Sequence, residues 1–373
     1  MRKRLWVLAC VVSLTLTSSA ATGTGSEGCG PGSTSATKAC MSSPFSPLSG
    51  FPLSFYTGPL GRDNILPPTA SGALLGLWPY QGRTVAQMKR AVLSRESAIG
   101  RKLDIVHIHW SAASGRCDSG PRHSAFTRGN ERWIVRHGAT LVISWAPGWS
   151  IDQINAGAAD KCFVSFGRKA ARFGRRFLLR PYWEFNGTWM LWSSKGQPFI
   201  DAWRRTVAKI REGGGTNVGF VWSPASGYQA EALTSYPGDD YVDWVGVSAY
   251  NWNRVGVWCS PYNPGPWCEL RGILSYDAAN YPTIYDHYSE SKPFMVAEWG
   301  SAEDPFTLGR KRQWFLNIKK KIPTELPRVR ALSYFDVDRT ALENINWQLQ
   351  TSQSSLAGFR RLALEPFFNT RDR

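Results

Sequence analysis

Between residues 73 and 338, short runs of apolar, β-branched and aromatic residues recur eight times, separated for the most part by longer amphipathic and basic stretches. The runs are ALLGLW (73–78), LDIVHIHW (103–110), TLVISW (140–145), FLLRPYWE (177–184), NVGFVWSP (217–224), VDWVGVSAY (242–250), PFMVAEWG (293–300) and VRALSYFDVD (329–338). Runs of this length read as strands buried on both faces, and alternation with helical stretches predicts an α/β protein with a parallel sheet. Eight such units fit a single (β/α)8 TIM barrel, assigned here to residues 71–365, better than an open doubly wound sheet. No GxGxxG follows the first run, which argues against a dinucleotide crevice, and no second domain or solenoid-like repeat is visible.

In such a barrel the loops leaving the C-terminal ends of the strands form the mouth where chemistry takes place. The residues at or beside those ends are Trp78, His109, Trp110, Trp145, Glu184, Trp222, Tyr250, Glu298, Trp299 and Asp336. The chain has 18 Trp, and flat rings flanked by hydrogen-bonding groups suit the C–H faces of sugars, although a share of them serves to fill the barrel core. Glu184 is read as closing the fourth strand and Glu298 the seventh, which sets two carboxyls across one mouth. Glycoside hydrolysis needs such a pair, one protonated to supply the leaving oxygen and one ionised to attack the anomeric carbon. Glu184 stands among Tyr182, Trp183, Trp189 and Trp192, where a carboxylate is costly unless it is paired or hydrogen-bonded.

The start of the chain, MRKR followed by LWVLACVVSLTL and the small residues TSSAATG, reads as a signal peptide over 1–21, cut near Ala20 or Ala21. The expected location is therefore secreted or extracellular, with a lipoprotein anchored through Cys10 as the alternative. Residues 22–70 read as a linker or extension, rich in Gly, Ser, Thr and Ala as far as residue 45. Six further cysteines, in a chain read as exported, suggest disulfides. Sequential pairing is expected: Cys29 with Cys40, Cys117 with Cys162, and Cys259 with Cys268. Zinc is the other use of such residues, but no CxxC pair supports it. The formal net charge is +16, much of it in GRKAARFGRR (167–176) and NIKKKIP (317–323). Helical spacing spreads those charges over an outer face, either simply solvated or meeting an anionic cell envelope or polymer. Nucleic acid is not expected as a partner of an exported chain without a binding motif, and a monomer is expected.

The stretch RPYWEFNGTWMLW (180–192) resembles the RP-x-HE-x-NG-x-W signature of glycoside hydrolase family 26, and KPFMVAEWGS (292–301) resembles that family's nucleophile strand. VISWAP (142–147) is similar to its third strand, and YFD with NINWQLQTSQSSLAGFR (344–360) to its eighth strand and last helix. The resemblance implies a retaining β-glycanase with Glu184 as acid/base and Glu298 as nucleophile, and it needs no cofactor. It further implies that Tyr250 hydrogen-bonds the nucleophile, that Arg180 supports the carboxylates, and that Trp189 is a sugar platform. Trp78, His109, Trp145, Trp183, Trp222 and Trp299 complete the expected substrate-binding set. Trp183 stands where the family usually carries His directly before the acid/base, so the substrate is less firmly implied than the mechanism. A polysaccharide partner is expected: β-mannan is favoured on family frequency, with mixed-linkage β-glucan and β-1,3-xylan as the other choices. The rival from a different class is a catalytically silent barrel that only binds an envelope polysaccharide.

Three weaker signals have competing explanations. His107 and His109 lie on one strand face, as in metal-dependent hydrolase barrels, but later strands supply no further His, so no metal is expected and His109 is placed in the sugar cleft. NGT (186–188) matches a glycosylation acceptor, yet a glycan on Asn186 would block that cleft. Asp336 and Asp338 either bind sugar hydroxyls or cap structure.

Overall fold

Each of the eight apolar runs forms a strand: β1 (Leu74–Trp78), β2 (Ile105–Ser111), β3 (Thr140–Ala146), β4 (Phe177–Pro181), β5 (Val218–Trp222), β6 (Trp244–Asn251), β7 (Phe294–Ser301) and β8 (Val329–Phe335). They pair in parallel in chain order and β8 closes on β1, giving a closed barrel. The computed structural model describes residues 72–79, 84–111, 126, 129–227, 229–253, 266–274 and 283–369. All of these fall in the second of the two units into which the chain divides, Tyr56–Arg373. The expected signal peptide, the extension with Cys29 and Cys40, and Cys117 and Cys259 lie outside the described residues, while Cys162 and Cys268 are described and buried.

The helices among the described residues are α1 (Val85–Ile99), α2 (Asn130–Arg136), α3 (Ile151–Asn155), α4 (Asp160–Phe173), α5 (Gln197–Glu212), α6 (Gln229–Leu233), α7 (Leu270–Leu274), α8 (Ile284–Tyr288), α9 (Arg310–Glu325), α10 (Thr340–Glu343) and α11 (Gln353–Ala363). Local sequence sets their ends. Thr84 and Gln87 form a reciprocal capping box at the start of α1, and Gly100 ends it in the left-handed conformation. In α4 the buried residues Cys162, Phe163, Phe166, Gly167, Ala170 and Phe173 repeat at helical spacing, which leaves Arg168 and Arg172 on the exposed side. Gly167 and Gly213 let α4 and the end of α5 meet backbone to backbone. A Cβ on Gly167 would fall 2.0 Å from the Ile210 carbonyl, and one on Gly213 would fall 2.2 Å from that of Val164.

The barrel interior is layered. Leu74, Ile105, Val142, Leu178, Val221, Trp244, Met295, Ala297 and Ala331 form one apolar cluster, separate from the larger core between strands and helices. Two residues further along β2, β3, β4 and β8 the inward positions are His107, Ser144, Arg180 and Ser333, and Ser223 follows Val221 in the same way just past the end of β5. Side chains alternate across a strand, so each of these polar residues stands directly above an apolar one.

In β7 the alternation is broken by one residue. Val247 pairs with Val296 but Ser248 pairs with Glu298, so Ala297 is an extra residue, a β-bulge. Without it, Met295, Ala297 and Trp299 would share the inner face and Glu298 would point out toward the helices. With it, Ala297 and Glu298 both face inward and Trp299 faces out.

Candidate active site

Arg180 of β4 is fully buried and organises the polar layer. Its Nε donates to Ser223 Oγ at 2.9 Å, Nη1 to Ser144 Oγ at 3.0 Å and to Glu298 Oε2 at 2.6 Å, and Nη2 to Ser248 Oγ at 2.5 Å. A planar guanidinium has the fixed fork of donors that meets partners on four strands or strand ends at once, which a lysine ammonium cannot do. On its other oxygen, Oε1, Glu298 accepts from the Tyr250 hydroxyl at 2.5 Å. Burial, with the charges of Glu298 and Glu184 next, pushes the Tyr250 pKa well up, so the hydroxyl keeps its proton and donates. Glu298 is thus held from both sides by charge-assisted hydrogen bonds, although it is only 5% exposed.

Glu184 is not at the end of its strand as expected. β4 stops at Pro181, and the chain passes through left-handed backbone at Tyr182 (φ 52°) and Glu184 (φ 56°). Each such non-glycine residue costs about 1–3 kcal/mol and persists only where its surroundings fix it. Here the Glu184 amide donates to the Ser223 carbonyl at 2.9 Å, and the Asn186 side chain clamps the next loop, accepting from Ala225 N (2.8 Å) and donating to Ala225 O (3.1 Å) and Gly227 O (2.7 Å). The turn sends Tyr182 outward against Phe199 and Trp203 of α5, and Glu184 toward the mouth. Trp189, 40% exposed, donates its indole N–H to Glu184 Oε2 at 2.9 Å. A Cβ on Gly187 would fall 2.4 Å from its ring, so a larger residue at the NG bend would push Trp189 out of this position. Burial first, and the neighbouring Glu298 charge second, raise the Glu184 pKa above its ordinary value, with Arg180, Trp189 and Ser248 partly opposing.

Beside Glu298, His109 Nε2 lies 3.6 Å from Oε2, and its ring stacks on Trp78 at 3.7 Å. Burial, then Arg180 and Arg339, hold its pKa well below the usual value, so the ring is neutral. Trp183, 9% exposed, meets His109 edge-on at 5.3 Å and Trp192 at 4.7 Å. Phe335 packs on Trp78 and on Tyr250, and Tyr250 in turn on Trp347, forming an aromatic wall on the β8 side.

Three of the residues expected to bind substrate do not reach the mouth. Trp145 and Trp222 are 1% and 0% exposed and Trp299 is 0% exposed, all within the outer core. Trp145 stacks on Phe166, Trp222 packs among Phe185, Tyr236 and Tyr288, and Trp299 meets Trp314, Phe315 and Phe359. Each directly follows an inward residue (Ser144, Val221, Glu298), and away from a bulge neighbours along a strand take opposite faces. Trp110, next to the inward His109, packs on Phe126 for the same reason. Asp336 is structural: it ion-pairs with Arg95 and accepts from Leu349 N at 2.8 Å, while Asp338 accepts from Thr340 N at 2.9 Å. The amide of Asn186 is committed to the loop clamp, which leaves it no role as a glycan acceptor. Glu298 lies inside β7 rather than at its end. Sequence reasoning missed Ser144, Ser223 and Ser248; counting outward by twos from the buried apolar residue below each would have found them.

The model of the family described as Glycosyl hydrolase family 26 matches residues 167–257, a span that includes Arg180, Glu184, Ser223, Ser248 and Tyr250. Over that span the chain is similar to glycosyl hydrolase family 26. Among curated proteins it is 27% identical over 304 residues to Endoglucanase H of Acetivibrio thermocellus, covering 78% of this chain and 30% of that protein. It is also 27% identical over 137 residues to a β-1,3-xylanase of a Vibrio species, covering 34% of this chain and 29% of that protein. The chain thus spans about a third of the length of the curated relatives it matches. The catalytic domain of a family 26 endo-β-1,4-mannanase from Bacillus sp. JAMB-750 has the same fold, with a TM-score of 0.57 and 17% identity over 80% of this chain and 87% of that one. Glu298 lies beyond the span that the family model matches, and the barrel closure brings it to Arg180 and Tyr250 within that span.

Proposed function

We propose that this chain is an exported, retaining endo-β-glycanase of family 26 that uses Glu184 as acid/base and Glu298 as nucleophile. The observation that carries the proposal is the contrast between the two carboxyls at one mouth. Glu298 is fixed by Arg180 and Tyr250, whereas Glu184 has its pKa raised by burial and by the charge of Glu298. Such separation of two acids by their surroundings is what double displacement needs. In the first step the Glu184 proton passes to the glycosidic oxygen while a Glu298 oxygen bonds to the anomeric carbon and the aglycone leaves. In the second step Glu184, now ionised, takes a proton from water as its oxygen attacks the same carbon, and Glu298 is released as carboxylate. Tyr250 and Arg180 fix the attacking oxygens in place, and Trp189 keeps Glu184 oriented by its indole N–H.

The substrate is drawn from the β-linked polysaccharides. The matched sequence relatives are named an endoglucanase and a β-1,3-xylanase, so β-glucan and β-1,3-xylan are placed first and β-mannan, the choice made from family frequency, third. New reducing ends on lichenan, β-1,3-xylan, glucomannan or mannan test the proposal. Proton NMR of the first-formed anomer tests the mechanism, with the β-anomer expected. Binding to these polymers with no cleavage of any of them would favour the silent barrel instead.

A further inference from the structure

The polar layer contains one titratable ring that the proposed chemistry does not use. His107, on β2, is fully buried. Its Nε2 lies 2.8 Å from Ser144 Oγ and its Nδ1 lies 3.1 Å from Ser333 Oγ, so each ring nitrogen meets one hydroxyl. Ser144 Oγ also accepts from Arg180 Nη1 at 3.0 Å, and that same nitrogen holds Glu298 at 2.6 Å. Guanidinium nitrogens only donate, so Arg180 occupies one lone pair of the Ser144 oxygen. If Nε2–H also donated to Ser144, that hydroxyl would accept twice and its own hydrogen would have to find another acceptor within a buried layer. If instead the Ser144 hydroxyl donates to Nε2, its hydrogen is used where it stands, Nδ1 carries the ring proton, and Nδ1–H donates to Ser333.

We infer that His107 is a positioning residue: as the neutral Nδ1–H tautomer it orients the Ser144 hydroxyl and, through it, the Arg180 nitrogen that grips Glu298. The groups facing the ring agree with a neutral imidazole. Burial, then His109 on the same strand and Arg180 on β4, push its pKa well down, and Glu298 on β7 opposes them. A protonated ring would donate from both nitrogens, turn the Ser144 hydrogen away and set a second cation beside Arg180. The kinetic part of the inference rests on the proposed glycanase reaction, while the tautomer rests on geometry alone.

The chain has 5 His, so the nitrogens of His107 can be assigned in the 15N-histidine-labelled protein by comparison with His107→Gln. Two-bond H–N correlation at neutral pH is expected to show a protonated Nδ1 and an unprotonated Nε2. An Nε2–H tautomer or an imidazolium would overturn the inference whether or not any polysaccharide is cleaved. In kinetics, His107→Phe is expected to lower kcat about ten- to a hundredfold, the scale of one hydrogen bond to a charged group, with KM changed less than about twofold. The pH–rate limb of the nucleophile should move with it. Ser144→Ala should reproduce both effects, and adding His107→Phe to it should cost little more. Wild-type kcat and pH profile in folded His107→Phe, or losses that simply multiply in the double variant, would refute the relay. Should His107→Phe not fold, Ser144→Ala with the tautomer measurement decides the matter. Absence of cleavage by the wild-type chain would count against the proposed function, and the tautomer result would still stand for or against the inference.

Discussion

Replacing Arg180 with Met tests the organisation of the site most directly, because one buried cation there serves Ser223, Ser144, Ser248 and Glu298. Met has similar length and no donor, so Glu298 would keep the Tyr250 hydroxyl but lose its counter-charge while remaining 5% exposed. Removing one partner of a buried pair costs roughly 3–5 kcal/mol, since the other charge stays desolvated without compensation. Glu298→Gln keeps the shape and removes the negative charge, and its expected cost is smaller, about 1.5–3 kcal/mol, because the amide oxygen can still accept from Arg180. In the double variant neither charge is buried, so the losses should not add. The coupling energy is expected to be about 2–3 kcal/mol, against roughly 0.3–0.5 kcal/mol for independent sites. Urea unfolding of the four proteins at one pH, followed by fluorescence of the buried Trp, gives the cycle. Additive losses, or a cost below about 1 kcal/mol for Arg180→Met, would show that the guanidinium is not what makes Glu298 tolerable in the barrel.

The two carboxyls should separate on mutation: Glu298→Ala is expected to abolish turnover on every substrate, whereas Glu184→Ala should retain activity on aryl glycosides with good leaving groups and be accelerated by azide, measured by release of the phenol. Because burial raises the folded pKa of Glu184 above its unfolded value, its contribution to stability is present at low pH and is lost as pH rises through the raised pKa. Glu184→Gln should therefore be more stable than wild type at neutral pH, with the advantage vanishing near pH 4 in urea titrations. Lys311, fully buried in α9 with its ammonium on the Gln348 carbonyl and Thr351 hydroxyl, has its pKa pushed down to about 7 by burial. Its folded pKa is below its unfolded one, so the penalty is complete below pH 7 and fades toward about pH 10. Lys311→Met should gain on wild type most at low pH, and a stability difference independent of pH would contradict this. Peptide mapping without reduction is expected to recover Cys117 joined to Cys162 and Cys259 joined to Cys268, and losing either pair should cost about 2–4 kcal/mol.

The fold was legible in the chain because the signal is local and repeated. Each of the eight runs is apolar enough to be buried on both faces, and each lies in a strand whose bounds differ from the run by a few residues. Glu184 and Glu298 were legible as a pair for a different reason: a carboxylate among rings needs an explanation, and the barrel supplies one by putting both at the same end. The three misplaced tryptophans mark the limit of that approach. Trp222 ends β5 and Trp145 and Trp299 lie within the last three residues of β3 and β7, but nearness to a strand end does not decide which face a side chain takes.

What the sequence determined by itself, then, is whatever depends on near neighbours along the chain: the eight strands, the capped helices between them, and the turn chemistry around Asn186 and Gly187. Only the closed barrel decided which alternate residues look inward, because facing is set by register against the two adjacent strands and shifts by one wherever a bulge intervenes. Ala297 is that shift in β7, and it turns Glu298 into the barrel and Trp299 out of it. That three serine hydroxyls gather around Arg180 was likewise decided only by closure of the barrel. Ser144, Ser223 and Ser248 lie 36, 43 and 68 positions from the guanidinium they accept from, and a serine shows no preference for such a partner until closure of the sheet leaves it no water to bond instead.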